Sequence, residues 1–203
     1  MAVTFYYARM SSASPIVWIL AELGIPHEAV EFDLEKDAHK QPDFLAINPM
    51  GQVPALVDDG QAMFEGAAIA IHLGEKYGST RGLWPEVGSP EHMVALTWTS
   101  WVAVSFGGWL RIVGTAGGEW NPEWKNEGLA EAAKGRLTQC VAALEQHLAD
   151  REYLTGGSFT LADAYAASTF WWAKHIGHVD VVAHPRVGAW LERCLARPAA
   201  GMD

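Results

Sequence analysis

Apolar and polar positions change period several times along the first third of the chain, and each change marks an element. Val3 to Tyr7 is apolar on both sides, as a strand covered on two faces is, and it gives way to the hydroxylic residues Ser11, Ser12 and Ser14. Ile16, Ile19, Leu20 and Leu23 then recur at helical spacing and Gly24-Ile25-Pro26 supplies a stop, so the pattern predicts a helix from Ser12 to Leu23. His27 to Asp33 alternates through Ala29, Val30 and Phe32 as a second, parallel strand. The polar stretch from Leu34 to Ile47 reads as an exposed segment holding a short helix, Asp43 to Ile47. Ala55 to Val57 and Ala62 to Phe64 flank Asp58-Asp59-Gly60, a hairpin signal of the Asp-Gly kind, and Ile69 to Tyr77 returns to helical spacing. The order is β-α-β followed by β-β-α.

Gly78 to Pro90 concentrates Gly, Pro and Ser between two helical patterns and reads as a linker. Beyond it no segment has a strand pattern. Glu91 to Trp109 carries Trp98, Trp101, Ser105 and Trp109 near one face, and Glu123 to Ala149 carries a stripe from Leu129 through Leu137 to Leu148, as two long helices of a bundle do. Gly114 to Pro122 is expected to separate them as a loop. Thr160 and Asp163 form a capping box that starts a buried helix, Leu161 to Trp172, and the last helix runs from Pro185 to Ala196. The chain thus divides into an α/β domain over residues 1–78, a linker over 79–89 and an all-α domain over 90–203.

Composition narrows the partners. A net charge of -10, with no basic run, argues against nucleic acid, since phosphate binding needs clustered Lys and Arg. The N-terminus lacks the pattern of a signal peptide and no apolar run approaches membrane-spanning length, so a cytoplasmic protein is expected. Cys140 and Cys194 lie in separate helical patterns and read as two buried free thiols.

Three places carry chemistry. Serine hydroxyls and free backbone amides arrive together at the start of the first helix, a site suited to an anion. Pro54, at the very start of a strand, occupies a position where a cis bond or an edge role is usual. Glu65-Gly66 sets an acid at the head of another helix. Ser11 and Ser14 stand at Cys-x-x-Cys spacing, but serines form no disulfide, so thiol–disulfide exchange by this motif is excluded.

Taken in order, the SSAS element, NPMGQVPALVDDG, FEG and FTLADAYAAS resemble the glutathione transferase superfamily over nearly the whole chain. The resemblance implies a thioredoxin-like N-terminal domain followed by a C-terminal helical bundle. Within the family SSAS looks most like the serine-using zeta and theta-related classes, with Ala13 where zeta enzymes carry cysteine. It implies glutathione as co-substrate, no metal, and a homodimer with a detoxifying activity. Ser11, with Ser12 second, would donate a hydrogen bond to the glutathione sulfur and favour the thiolate; the alternative is that both only cap the helix. Val53, before Pro54, would pair with the cysteinyl main chain, Gln52 would contact the glycyl end, and Glu65 would meet the γ-glutamyl ammonium. At the next position, where the family usually has serine holding the γ-glutamyl carboxylate, this chain has Gly66, which keeps the amide and lacks the hydroxyl.

A hydrophobic electrophile is expected where the two domains face each other, with Met10, Trp98, Trp101, Phe106, Trp109 and Arg111 as candidate lining and Trp171 or Trp172 beside them. Aromatic residues at helical spacing equally build a core, and an arginine on a helix face equally meets solvent. His175 and His178 share a helix face with no carboxylate or cysteine to complete a metal set, and read as surface or capping residues. The implied activity is transfer of glutathione to an electrophile, or isomerisation through a transient adduct. The contrasting reading is a non-catalytic protein of the same fold that binds a ligand or partner, which Gly66 favours and Ser11, Val53-Pro54 and Glu65 oppose.

Overall fold

The computed structural model describes residues 2–201; Met1, Met202 and Asp203, at the outer ends of the two expected domains, lie outside the described residues. Four strands, β1 (Val3–Tyr7), β2 (Glu28–Glu31), β3 (Ala55–Asp58) and β4 (Gln61–Phe64), form one sheet in the order β2-β1-β3-β4. β1 pairs parallel with β2 and antiparallel with β3, and β3 pairs antiparallel with β4. The β3–β4 turn holds Asp59 and Gly60 at φ 49° and 82°, both left-handed, which matches the right-handed twist of the flanking strands.

Helix α1 (Ser14–Leu23) starts two residues later than the sequence pattern suggests, with Pro15 in its first turn and Ala13 at its cap. The serines therefore sit in the turn before the helix. Ile16, Ile19, Leu20 and Leu23 are buried, and Gly24 ends the helix at φ 59°, its N–H donating to the Leu20 carbonyl at 3.0 Å. α2 (Pro42–Leu45) is a single turn. α3 (Gly66–Leu73) starts directly after Glu65 and continues through a π-helical turn, Gly74–Gly78. The hairpin is tied to this helix by Asp58, whose carboxylate accepts from His72 at 2.6 Å, Lys76 at 2.8 Å and Tyr77 at 2.9 Å. Burial alone would raise the Asp58 pKa; the three donors outweigh it and hold the carboxyl below its ordinary value.

The helical part consists of α4 (Pro90–Trp101), α5 (Gly107–Ala116), α6 (Glu127–His147), α7 (Leu161–His175) and α8 (Pro185–Leu195). A π-helical turn, Val102–Phe106, joins α4 to α5, so Pro90–Ala116 is one helical run of 27 residues. By length and composition that run is apolar enough to cross a membrane, contrary to the expectation that no apolar run approaches that length, because the segment read as a helix to Trp109 continues to Ala116. Here Ala95, Val102, Phe106, Leu110 and Val113 bury one side of it in the helical core, α4 against α7 and α5 against α6. Of the two free thiols, Cys194 is fully buried and Cys140 only half-buried, and burial raises the pKa of both.

Asp163 anchors the bundle. Its buried carboxylate accepts from Thr160 N at 2.9 Å and Oγ1 at 2.9 Å, from Leu154 N at 2.8 Å and from Trp190 Nε1 at 3.0 Å. The capping box forms, and Thr160 and Asp163 serve folding, as the sequence suggests. The two halves meet along α1 and α7. Trp18 stacks on Phe159 with centroids 6.3 Å apart, and Arg197 chelates Glu22 through two bonds of 2.7 Å.

Candidate functional site

A cavity of about 520 Å³ opens between the sheet domain and the α5–α7 wall. On the sheet side it is built by three connections. The β1–α1 turn supplies Met10, Ser11 and Ser12; the segment before β3 supplies Gln52, Val53 and Pro54; the β4–α3 junction supplies Glu65 and Gly66. Every residue expected to bind glutathione or activate its sulfur thus lines one cavity. Met10 and Arg111 line it as well.

The two serines spend their hydroxyls differently. Ser11, half-buried, donates to the Ala8 carbonyl at 2.7 Å and accepts from the Ala13 amide at 3.2 Å, closing the turn into α1. Ser12 reaches across 41 positions and donates to the Val53 carbonyl at 3.0 Å. The Val53–Pro54 peptide is cis. Its loop is braced by buried Asn48, which donates to the Gln52 carbonyl at 2.6 Å and accepts from the Met50 amide at 3.0 Å, and by Lys40, which donates to the Gly51 carbonyl at 2.8 Å. Glu65 holds φ at 73°, a left-handed value that costs a non-glycine residue about 1 kcal/mol or more, and its exposed side chain stands beside the free amides at the head of α3.

The opposite wall departs from expectation. Trp98, Trp101, Phe106 and Trp109 do not line the cavity: Phe106 is fully buried and stacks on Phe170 with centroids 4.0 Å apart, while Trp98 packs edge-on to Trp101 at 4.8 Å and against His147 at 4.4 Å. Trp109 packs against the same core. The run Pro90–Ala116 meets the cavity through Val102, Ala103, Gly107, Gly108, Leu110 and Arg111, where Ala103, Gly107 and Gly108 leave room for a ligand while the large aromatic residues fill the bundle. Arg111 is exposed and makes no hydrogen bond or ion pair among the described residues.

The aromatic wall comes from elsewhere. Trp120, from the loop after α5, lies with its ring centroid 5.4 Å from that of Trp172, and Trp171 lines the cavity too. Tyr165, Ser168 and Trp172 project from α7 at the spacing i, i+3, i+7, a stripe readable in the sequence yet masked there by the capping box. Ser168 is 1 % exposed and its hydroxyl has no partner among the described residues. His178 Nε2 donates to the Glu119 carboxylate at 3.0 Å, tying the Trp120 loop to the segment after α7, while His175 stacks on Trp171. Among the described residues no group of three or more His, Cys, Asp or Glu is placed to hold a metal.

Comparison with known proteins accords with this geometry. Residues 1–75 match the glutathione S-transferase N-terminal domain and residues 127–193 the glutathione S-transferase C-terminal domain. Glutathione S-transferase 3 of Zea mays is 34% identical over 91% of this chain and 84% of its own length. Glutathione S-transferase F13 of Arabidopsis thaliana is 30% identical over 98% of this chain and 93% of its own. Among solved structures, a glutathione transferase of Phanerochaete chrysosporium in complex with oxidized glutathione superposes with a TM-score of 0.89 at 26% identity, covering 98% and 92% of the two chains. One from Methylococcus capsulatus superposes at 0.82 with 32% identity over 98% and 95%. With a relative above 30% identity spanning most of both chains, and domain matches at both ends, this chain belongs to the glutathione S-transferase family.

Proposed function

We propose that the chain transfers glutathione to an electrophile bound against the α5–α7 wall, and that Ser12 is the principal donor to the sulfur. The observation that carries this is the 3.0 Å bond from the Ser12 hydroxyl to the Val53 carbonyl within the cavity that also holds Glu65. Glutathione's cysteinyl residue needs the Val53 main chain as its backbone partner, so its side chain lies one carbon away, beside Ser12. The cysteinyl amide competes for the Val53 carbonyl and frees the Ser12 proton for sulfur. A hydroxyl donor plus the amides at the start of α1 favours the thiolate; lowering a thiol pKa by about two units needs roughly 2.7 kcal/mol, within reach of one charge-assisted bond and a helix end. The thiol proton leaves to water, and the sulfur lone pair forms a C–S bond as the electrophile's leaving group departs.

Arg111, Trp120, Trp172 and Ser168 favour an electrophile with a flat aromatic body and an acidic or acceptor group. Gln52 is taken to meet the glycyl end and Glu65 the γ-glutamyl ammonium. A homodimer is expected, and a monomer mass by light scattering would remove that expectation. The test of the whole reading is calorimetric titration with glutathione beside a Glu65→Ala variant, followed by an electrophile screen. Binding that Glu65→Ala weakens at least tenfold supports it, a loss on the order of one charge-assisted bond. Equal binding by the two proteins, or none at several millimolar, overturns it.

A further inference from the structure

Gly66 lacks the hydroxyl expected beside Glu65, and the space that side chain would fill is already taken. A Cβ built on Gly66 would lie 3.1 Å from the hydroxyl oxygen of Tyr165, 3.5 Å from its Cε2 and 3.7 Å from Pro54 Cγ. Tyr165 comes from α7, on the far side of the cavity, and crosses to the head of α3. It is 7% exposed, lines the cavity, and its hydroxyl makes no hydrogen bond among the described residues. The ring is buried while the hydroxyl opens onto the cavity, so the phenol is a donor held toward whatever ligand sits there. Burial, with the Glu65 carboxylate nearby adding to it, pushes the Tyr165 pKa up to about 12 and keeps the group a donor at neutral pH.

What surrounds that hydroxyl defines what it meets. Glu65 offers a carboxylate acceptor, and the first amides of α3 point outward unpaired beside it. An acceptor and a set of donors a few ångströms apart fit the free α-amino acid end of a ligand, which carries an ammonium and a carboxylate on one carbon. We propose that Tyr165 is a glutathione-binding residue whose hydroxyl donates to the γ-glutamyl α-carboxylate, in place of the side chain that Gly66 lacks. The proposal rests on the glutathione reading above. It also accounts for glycine at position 66, since any larger residue meets the phenol.

Calorimetry with two ligands tests it: glutathione, and 4-aminobutyryl-cysteinylglycine, which is glutathione without the γ-glutamyl α-carboxylate. Wild type, Tyr165→Phe, Gly66→Ser and the double variant are compared after thermal melts establish that each is folded. Tyr165→Phe is expected to weaken glutathione binding about tenfold, as loss of a hydrogen bond to a charged group does, and to leave binding of the truncated ligand unchanged. Gly66→Ser alone crowds the phenol and weakens glutathione; added to Tyr165→Phe, it restores part of the loss. If Tyr165→Phe binds glutathione as wild type does, or weakens both ligands equally, the assignment is overturned while the glutathione reading stands. Wild type that binds no glutathione overturns both.

Discussion

Ser11 and Ser12 are neighbours in sequence whose hydroxyls do different work, and the difference is a matter of reach. Ser11 closes its own turn, donating to Ala8 and accepting from Ala13. Ser12 crosses to Val53, the residue proposed to pair with the cysteinyl main chain. Ser12→Ala is therefore expected to raise the apparent pKa of bound glutathione thiol by about one to two units at little cost in stability, since it is exposed. Ser11→Ala should cost about 1 kcal/mol of stability through the loosened turn and leave the thiol pKa near that of wild type. Thiolate absorbance titrated against pH, with thermal melts of both variants, reads the two effects separately; the opposite pattern would assign the donor to Ser11. That serine hydroxyls gather at the turn before α1 was legible in SSAS, because the motif is local. That Ser12 rather than Ser11 would reach the Val53 carbonyl was not, because that bond spans 41 positions.

Elements were legible where one rule governs them. The order of elements in the sheet domain, the Asp59-Gly60 turn and the α7 capping box follow from short-range chemistry, and the structure has all three. The α4–α5 run was read short because glycines usually break a helix, each costing about 1 kcal/mol relative to alanine. Here they are what the geometry needs. The π-helical turn brings the Val102 carbonyl to 2.9 Å from where a Cβ on Gly107 would stand, and the Trp120 ring lies 2.5 Å from a Cβ built on Gly114. The same misreading carried Trp98, Trp101 and Trp109 to the cavity: helical spacing shows that they share a side, and only tertiary packing shows that this side is the core. Gly114→Ala is expected to push the Trp120 ring off α5 and displace one side of the aromatic wall. The KM for an aromatic electrophile should rise several-fold while the Kd for glutathione, held across the cavity, stays within twofold; a change of one carbon costs about 1–3 kcal/mol in a packed site. A KM unchanged for every aromatic electrophile tested would remove Trp120 from that wall.

At the scale of the molecule, α1 joins the site to the clamp between the two halves. Its N-terminal end follows the serine turn, and its last turn carries Glu22, about 12 Å along the helix from Ser14. Glu22 accepts from Arg197 through two bonds of 2.7 Å and from Trp18 Nε1 at 3.0 Å, and Arg197 lies 3.8 Å over the Phe159 ring. The Glu22 side chain is 6% exposed, so loss of its charge leaves Arg197 half-buried without a counter-ion. Burial alone would raise the Glu22 pKa, but the Arg197 and Trp18 bonds outweigh it and hold the carboxyl below its ordinary value. A carboxyl depressed on folding stabilises the native state fully above its unfolded pKa, near 4.3, and the contribution is lost as pH falls through the lower folded value. Glu22→Gln should therefore cost about 3 kcal/mol at neutral pH, and the gap in melting temperature between wild type and variant should stay flat above about pH 5 and close below about pH 4. Thermal melts across that range check the sign. Because the clamp sits at the far end of α1, glutathione affinity of the folded variant at neutral pH and low temperature should match wild type. A weakened affinity there, with the protein still folded, would mean that the clamp also sets the pose of the serine turn, and that the two halves of the molecule are coupled through the length of α1.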